Sequence, residues 1–154
     1  MRRRLITVES SFEAAHRLMF YRGPCRNIHG HSYKIEVTLE ANRLQPAKYT
    51  PPSMVMDFKV LKRVIRENVL EYFDHRLILA DCDPLAEYLF HFGESLKVTI
   101  LPSKFEDATA ECLAEYICDL LKMSDFETKY NVWIHKVKVI ETDSSSAEYY
   151  PNWR

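Results

Sequence analysis

His29 and His31 stand two residues apart in Cys25-Arg26-Asn27-Ile28-His29-Gly30-His31, with the Cys25 thiol four positions before the first imidazole. A third histidine, His16, lies in the earlier segment Phe12-Glu13-Ala14-Ala15-His16-Arg17-Leu18. Three imidazoles that share one zinc ion and leave its fourth position to water or substrate make the usual catalytic zinc site. A cysteine beside such a site would act as base or nucleophile, because the thiolate is the reactive form and a nearby cation favours it. One cysteine with three histidines would equally make a closed structural site. A chain of 154 residues can bury a core without that staple, so Cys25 takes the catalytic role here and the closed site is its competitor.

Two further positions carry chemistry. In Asp74-His75 a carboxylate adjoins an imidazole and could set its tautomer and basicity for proton transfer, although a helix-end histidine facing the dipole would look the same. In Val137-Lys138-Val139-Ile140-Glu141 the alternation puts Glu141 on the face of Val137 and Val139, where a carboxylate needs a partner. It could accept two parallel N–H bonds from a guanidine-like edge. A fray or bulge at the strand end would instead leave it solvated, and the residues alone keep both readings open. Arg17, Arg22, Arg26 and Arg76 flank these groups and could draw in a polyanion, though scattered arginines usually face solvent. Cys112 and Cys118 fall in a helical pattern and read as core, while Cys82 and Trp133 have no assigned role.

The elements that must position these groups read as sheet first. Residues 3–9 are strand-like, and His31 to Ala41 alternates with Tyr33, Ile35, Val37 and Leu39 on one face. Carried backward, that register puts His29 and His31 together on the apolar face. Pro46, Pro51 and Pro52 mark a loop; Asp57 caps a helix to about Phe73 whose stripe is Phe58, Leu61, Val64, Ile65 and Phe73. Asp83-Pro84 opens a short helix that Gly93 could end at a left-handed cap. Leu96 to Leu101 reads as strand and Thr109 to Lys122 as a second long amphipathic helix. Asn131 to Thr142 is the last clear strand, with Tyr149 and Tyr150 closing an edge. The order predicts an α+β fold with helices on one face of an antiparallel sheet.

Bulk properties agree with one domain spanning 1–154: 47% apolar and 28% charged residues are ordinary for a globular protein. A net charge of −1 argues against a general nucleic-acid binder. No stretch approaches membrane-spanning length, and Leu5-Ile6-Thr7-Val8 after Met1-Arg2-Arg3-Arg4 is too short for an export signal. Four cysteines without C-x-x-C spacing then suggest reduced thiols and a cytoplasmic location.

Taken together, several segments resemble the 6-pyruvoyl-tetrahydropterin synthase / 6-carboxytetrahydropterin synthase family. They are Phe12 to Leu18, Cys25 to Tyr33, Met54-Val55-Met56-Asp57-Phe58, Phe73-Asp74-His75-Arg76, Thr109-Ala110-Glu111-Cys112-Leu113-Ala114 and Val139-Ile140-Glu141-Thr142, in the family's order. The resemblance implies a tunnelling fold, a four-stranded antiparallel sheet carrying two long helices on one face. It implies a homohexamer, a dimer of trimers whose sheets close into barrels, with active sites at subunit interfaces. By the same carry-over His16, His29 and His31 hold zinc, Cys25 is the catalytic base relayed with Asp74 and His75, Glu141 anchors the pterin ring and Thr109 lines its pocket. Three residues between Cys25 and His29 look like the carboxy branch, which makes 6-carboxytetrahydropterin from 7,8-dihydroneopterin triphosphate for queuosine biosynthesis. A pyruvoyl-type synthase or other pterin lyase is the alternative on this fold, and a non-catalytic zinc or pterin binder is the alternative outside it. The chain departs from the family pattern in a longer Asp81 to Lys104 connection, in Ala110 where a hydroxyl residue is commoner, and in the ending Tyr150 to Arg154.

Overall fold

The computed structural model describes residues 3–46, 53–92 and 96–151. Two thirteen-residue strands, β1 (Arg4–His16) and β2 (His29–Ala41), form an antiparallel pair in unbroken register from Arg4↔Ala41 to His16↔His29. β1 is nearly twice the length that residues 3–9 suggested. Ile6, Val8, Ser10, Phe12, Ala14 and His16 do alternate inward, but serine, alanine and histidine blur the pattern that pairing with β2 enforces.

The helical run after Asp57 comprises α1 (Phe58–Ile65), a π-helical stretch Arg66–Leu70 and a last turn α2 (Glu71–Phe73). Asp57 caps it by accepting the Lys59 N–H at 2.8 Å. Leu61, Ile65, Val69 and Phe73 are its buried positions. A four-residue spacing drifts ~40° per step on a regular helix, and the wider π turn takes up that drift. Phe58, expected in the stripe, is the first residue of α1 and is 53% exposed.

Next come β3 (Arg76–Ala80), α3 (Pro84–Phe90) and β4 (Val98–Leu101). Asp83 caps α3 through the Leu85 N–H, while Gly93, Pro51 and Pro52 lie outside the described residues. α4 (Ala110–Lys122), α5 (Phe126–Tyr130), β5 (Trp133–Thr142) and β6 (Ser145–Tyr149) complete the order. α5 was not expected; Asn131, left-handed at φ 49°, ends it and turns the chain into β5.

The sheet has six strands in the order β4-β3-β1-β2-β5-β6, which corrects the expected four-stranded antiparallel sheet. β1, β2, β5 and β6 make the antiparallel part. β3 adds to β1 in parallel over Ala14–His16, and β4 adds in parallel to β3. The long 81–104 connection therefore forms a crossover helix and an edge strand. Leu77-Ile78-Leu79-Ala80 is a short continuous apolar run, the pattern of a strand buried on both faces, which alternation does not reveal. The core lies between the sheet's inward face and α1, α2 and α4, with Phe12, Tyr33, Ile35, Val37, Val137 and Val139 meeting Leu61, Ile65, Leu113 and Ile117. No helix among the described residues is long and apolar enough to cross a membrane.

Candidate active site

The inward face of β1 and β2 changes from apolar to imidazole at one end. His16 pairs with His29 across the strands and Ala14 with His31, so all three histidines share a face with Phe12 and Tyr33. The rings sit at the corners of a triangle, with centroids 4.5, 5.0 and 5.1 Å apart. Their ligand-capable nitrogens lie within 4.8 Å of one another.

Tautomers follow from the outer hydrogen bonds. His16 Nδ1 lies 2.8 Å from the Ala108 carbonyl and His29 Nδ1 lies 2.8 Å from the Asn27 carbonyl. A carbonyl only accepts, so each Nδ1 carries the hydrogen and each Nε2 keeps its lone pair. Those two Nε2 atoms face each other at 3.1 Å. His31 Nε2 is buried and has no hydrogen-bond partner among the described residues. Lone pairs aimed at one point repel unless a cation stands between them. Two nitrogens bound tetrahedrally to one zinc at ~2.05 Å would be about 3.3 Å apart, close to the observed spacing. The donor set therefore fits zinc, with backbone carbonyls holding two rings in place as outer partners usually do. Burial pushes the His16 pKa down, against the opposite pull of the Ala108 carbonyl and Glu141, which keeps the ring neutral and able to ligate.

Glu141 reaches this cluster from β5. Pairing shifts between Ile140 and Thr142, so Glu141 is the extra residue of a β-bulge, and its Oε1 stands 3.5 Å from His31 Nε2. The bulge that could have turned the carboxylate to solvent instead aims it at the histidines. Thr109 and Glu141 line a hollow of about 240 Å³ together with Leu18, Glu111 and Ser146. The Thr109 hydroxyl also caps α4, accepting from the Cys112 N–H at 3.3 Å. Cys25 sits in a 3-10 turn, Pro24–Arg26, in the loop between β1 and β2, and the ligand cluster does not include its thiol.

Asp74 and His75 are placed elsewhere. His75 Nδ1 lies 3.0 Å from Asp74 Oδ1, so the adjacent pair does bond. The His75 side chain is 77% exposed and its backbone is left-handed at φ 57°. Two bonds hold it there: the His75 N–H donates to the Glu13 carbonyl at 2.6 Å, and Asp74 Oδ1 accepts the Glu13 N–H at 3.0 Å. His75 borders a hollow with Glu13, Gly30, His31, Ser32 and Arg76.

Sequence reasoning passed over Tyr33. Its hydroxyl is buried without a hydrogen-bond partner among the described residues, its ring lies edge-on to His16 and His31, and burial together with Glu141 and Cys25 pushes its pKa up. The signal was its place in the same register as His29 and His31. Arg17, read as free to attract an anion, instead forms a two-bonded pair with Asp83.

Comparison with known proteins agrees with this geometry. The family model described as 6-pyruvoyl tetrahydropterin synthase matches residues 5–152. A 6-carboxy-5,6,7,8-tetrahydropterin synthase from Synechocystis is 32% identical over 95% of this chain and 92% of its own length. One from Aquifex aeolicus is 35% identical, covering 90% of this chain and 92% of its own. Among solved structures, an uncharacterized protein from Wolinella succinogenes matches with a TM-score of 0.79 at 26% identity over 99% of this chain and 100% of its own. The 6-pyruvoyl tetrahydropterin synthase of Caenorhabditis elegans matches at 0.68 and 26% over 99% and 98%. From its inward histidines to its strand order, the chain belongs to the 6-pyruvoyl tetrahydropterin synthase family.

Proposed function

We propose that this protein is a zinc-dependent 6-carboxy-5,6,7,8-tetrahydropterin synthase. It converts 7,8-dihydroneopterin triphosphate to 6-carboxytetrahydropterin, releasing acetaldehyde and triphosphate, a step toward queuosine. The observation that carries this reading is the convergence of three imidazole nitrogens beside a bulge-aimed carboxylate. Full-length relatives of the carboxy type and the three-residue gap between Cys25 and His29 support the carboxy product.

His16, His29 and His31 would hold the ion, and zinc, when bound, polarises the substrate's side-chain oxygens and lowers their pKa. Glu141 accepts N–H bonds from the pterin ring and fixes its orientation, with Thr109 at the pocket wall. Cys25 as thiolate removes a proton, and Asp74 sets the tautomer of His75, which shuttles another. In one chain the Asp74–His75 side chains are largely exposed and lie outside the histidine cluster. The reading is therefore completed by a homohexamer in which a neighbouring subunit supplies that pair. A cytoplasmic setting suits four free cysteines.

The test is product analysis of the zinc-loaded protein with 7,8-dihydroneopterin triphosphate. Formation of 6-carboxytetrahydropterin and acetaldehyde is expected. A pyruvoyl product would move the assignment to the other branch. No turnover of any pterin, with zinc bound and Cys25→Ala indistinguishable from the parent, would leave only a binding protein.

A further inference from the structure

The loop from 17 to 28 joins two zinc-ligand positions and carries Cys25, yet it is short of internal order. Its own bonds are few: Leu18 N–H to the Cys25 carbonyl at 2.8 Å, Tyr21 N–H to the Leu18 carbonyl at 3.2 Å, and the small turn around Pro24. What fixes it to the rest of the molecule comes from two carboxylates at opposite ends of the 81–107 excursion. Asp83, 2% exposed, grips Arg17, the residue next to His16; one bond of the fork is Nε to Oδ2 at 2.7 Å and the other is Nη2 to Oδ1. Asp107 accepts the Met19 N–H at 3.0 Å on one oxygen and the Phe20 N–H at 3.2 Å on the other. Asp107 Oδ1 also takes the Ala108 N–H at 3.0 Å, and the Ala108 carbonyl is the group that orients His16. The Cys82 thiol donates to the Glu106 carbonyl at 3.4 Å, drawing the two ends of the excursion together.

A buried ion pair is a poor device for stability, since desolvation offsets much of the attraction. A two-bonded fork does fix direction and distance. Both anchors also land on the stretch between the ligand His16 and the Cys25 turn. We propose that Asp83 and Asp107 are positioning residues that hold the Cys25 thiol at a set place beside the histidine cluster, and that the two carboxylates act together as a clamp. This inference rests on the assignment of Cys25 as the proton-moving thiol.

The experiment uses the full-length zinc-loaded protein with Asp83→Asn and Asp107→Ala. Three quantities are read: zinc per chain, steady-state turnover of 7,8-dihydroneopterin triphosphate, and the iodoacetamide alkylation rate of the Cys25 peptide by mass spectrometry. The expected result is a kcat lower by on the order of 10–100-fold, with KM within about threefold and zinc content kept, since a small misplacement of a reacting group costs that much. The Cys25 alkylation rate should shift by more than about threefold in both variants, and by no more in the double variant if the carboxylates act as one clamp. Parental kcat and parental alkylation in folded, zinc-bound variants would overturn the proposal. If Asp83→Asn does not fold, Arg17→Lys keeps the charge and removes the fork, and the same readouts decide. A fully active Cys25→Ala would refute the thiol's catalytic role instead, while alkylation of the Asp83 and Asp107 variants would still judge the clamp.

Discussion

The two halves of the candidate catalytic set are built differently. The histidine triad stands on paired strands at the end of thirteen registered residue pairs, with His16 only 1% exposed and two rings locked by backbone carbonyls. The Asp74–His75 pair sits at a helix-to-strand junction, largely exposed, in a left-handed turn held by Glu13. The three histidines come together within one chain, and the Asp74–His75 pair lies outside their cluster. A metal site needs several donors within a few ångströms, which one sheet face supplies, whereas a proton relay can be delivered by another surface. The contrast teaches that this chain assembles its candidate ion site on one buried sheet face and carries its candidate relay at an exposed junction.

Breaking the internal half should have the largest effect. His16→Ala or His29→Ala is expected to abolish stoichiometric zinc binding and reduce turnover at least about 100-fold, since loss of a mere outer partner already costs 10–100-fold. Chelator treatment of the parent should reproduce the turnover loss, with recovery on added zinc, as read by metal analysis and product assay. The peripheral half is tested by mixing. Cys25→Ala and His75→Ala should each be inactive alone, and subunits mixed at random should recover about one quarter of parental turnover if each site takes the two residues from different subunits. No recovery in a verified mixed oligomer would place both groups in the same subunit's site.

Glu141→Gln probes the link between the sheet and the ligand. A lost charge-assisted pair of bonds predicts a kcat/KM lower by about 10–100-fold with zinc retained. A smaller effect is expected from acid. The Glu13 N–H, with help from His75, holds the Asp74 carboxyl below its ordinary value despite some opposing desolvation. A depressed carboxylate contributes stability that is present above the unfolded pKa of ~3.9 and is lost as pH falls through the folded value. The melting temperature of Asp74→Asn should therefore be less sensitive to acidification below about pH 4 than that of the parent. The least change is expected from Tyr33→Phe. Its hydroxyl has no partner to lose among the described residues, so the melting temperature should stay within about 1–2 °C or rise. A clear drop would reveal a structural bond.

Much of this was legible in the chain. The alternation from Tyr33 to Leu39 placed His29 and His31 on one face, and the structure puts them there. Asp57, Asp83 and Thr109 cap the helices their positions announced, because capping is local chemistry between a side chain and N–H groups two or three residues on. β3 was less legible, since the four-residue apolar run Leu77 to Ala80 has no period that separates strand from buried helix, whereas β4 falls inside the Leu96 to Leu101 run that reads as strand. The Glu141 bulge was open between two outcomes, since a bulge is a mismatch between partners and neither strand shows it alone.

By itself, then, the sequence determined residue types, local caps and the faces of its long strands, all set by interactions within a few positions. It put His29 and His31 on one side of the sheet through the register of a single strand. Only the tertiary structure decided that they converge with His16, because that needs the His16↔His29 register and the Ala108 carbonyl from 92 residues away. It also decided that Arg17 meets Asp83 rather than solvent, and that Asp74 and His75 are largely exposed. Each of these depends on which distant backbone arrives alongside, a matter of global packing that no local pattern records.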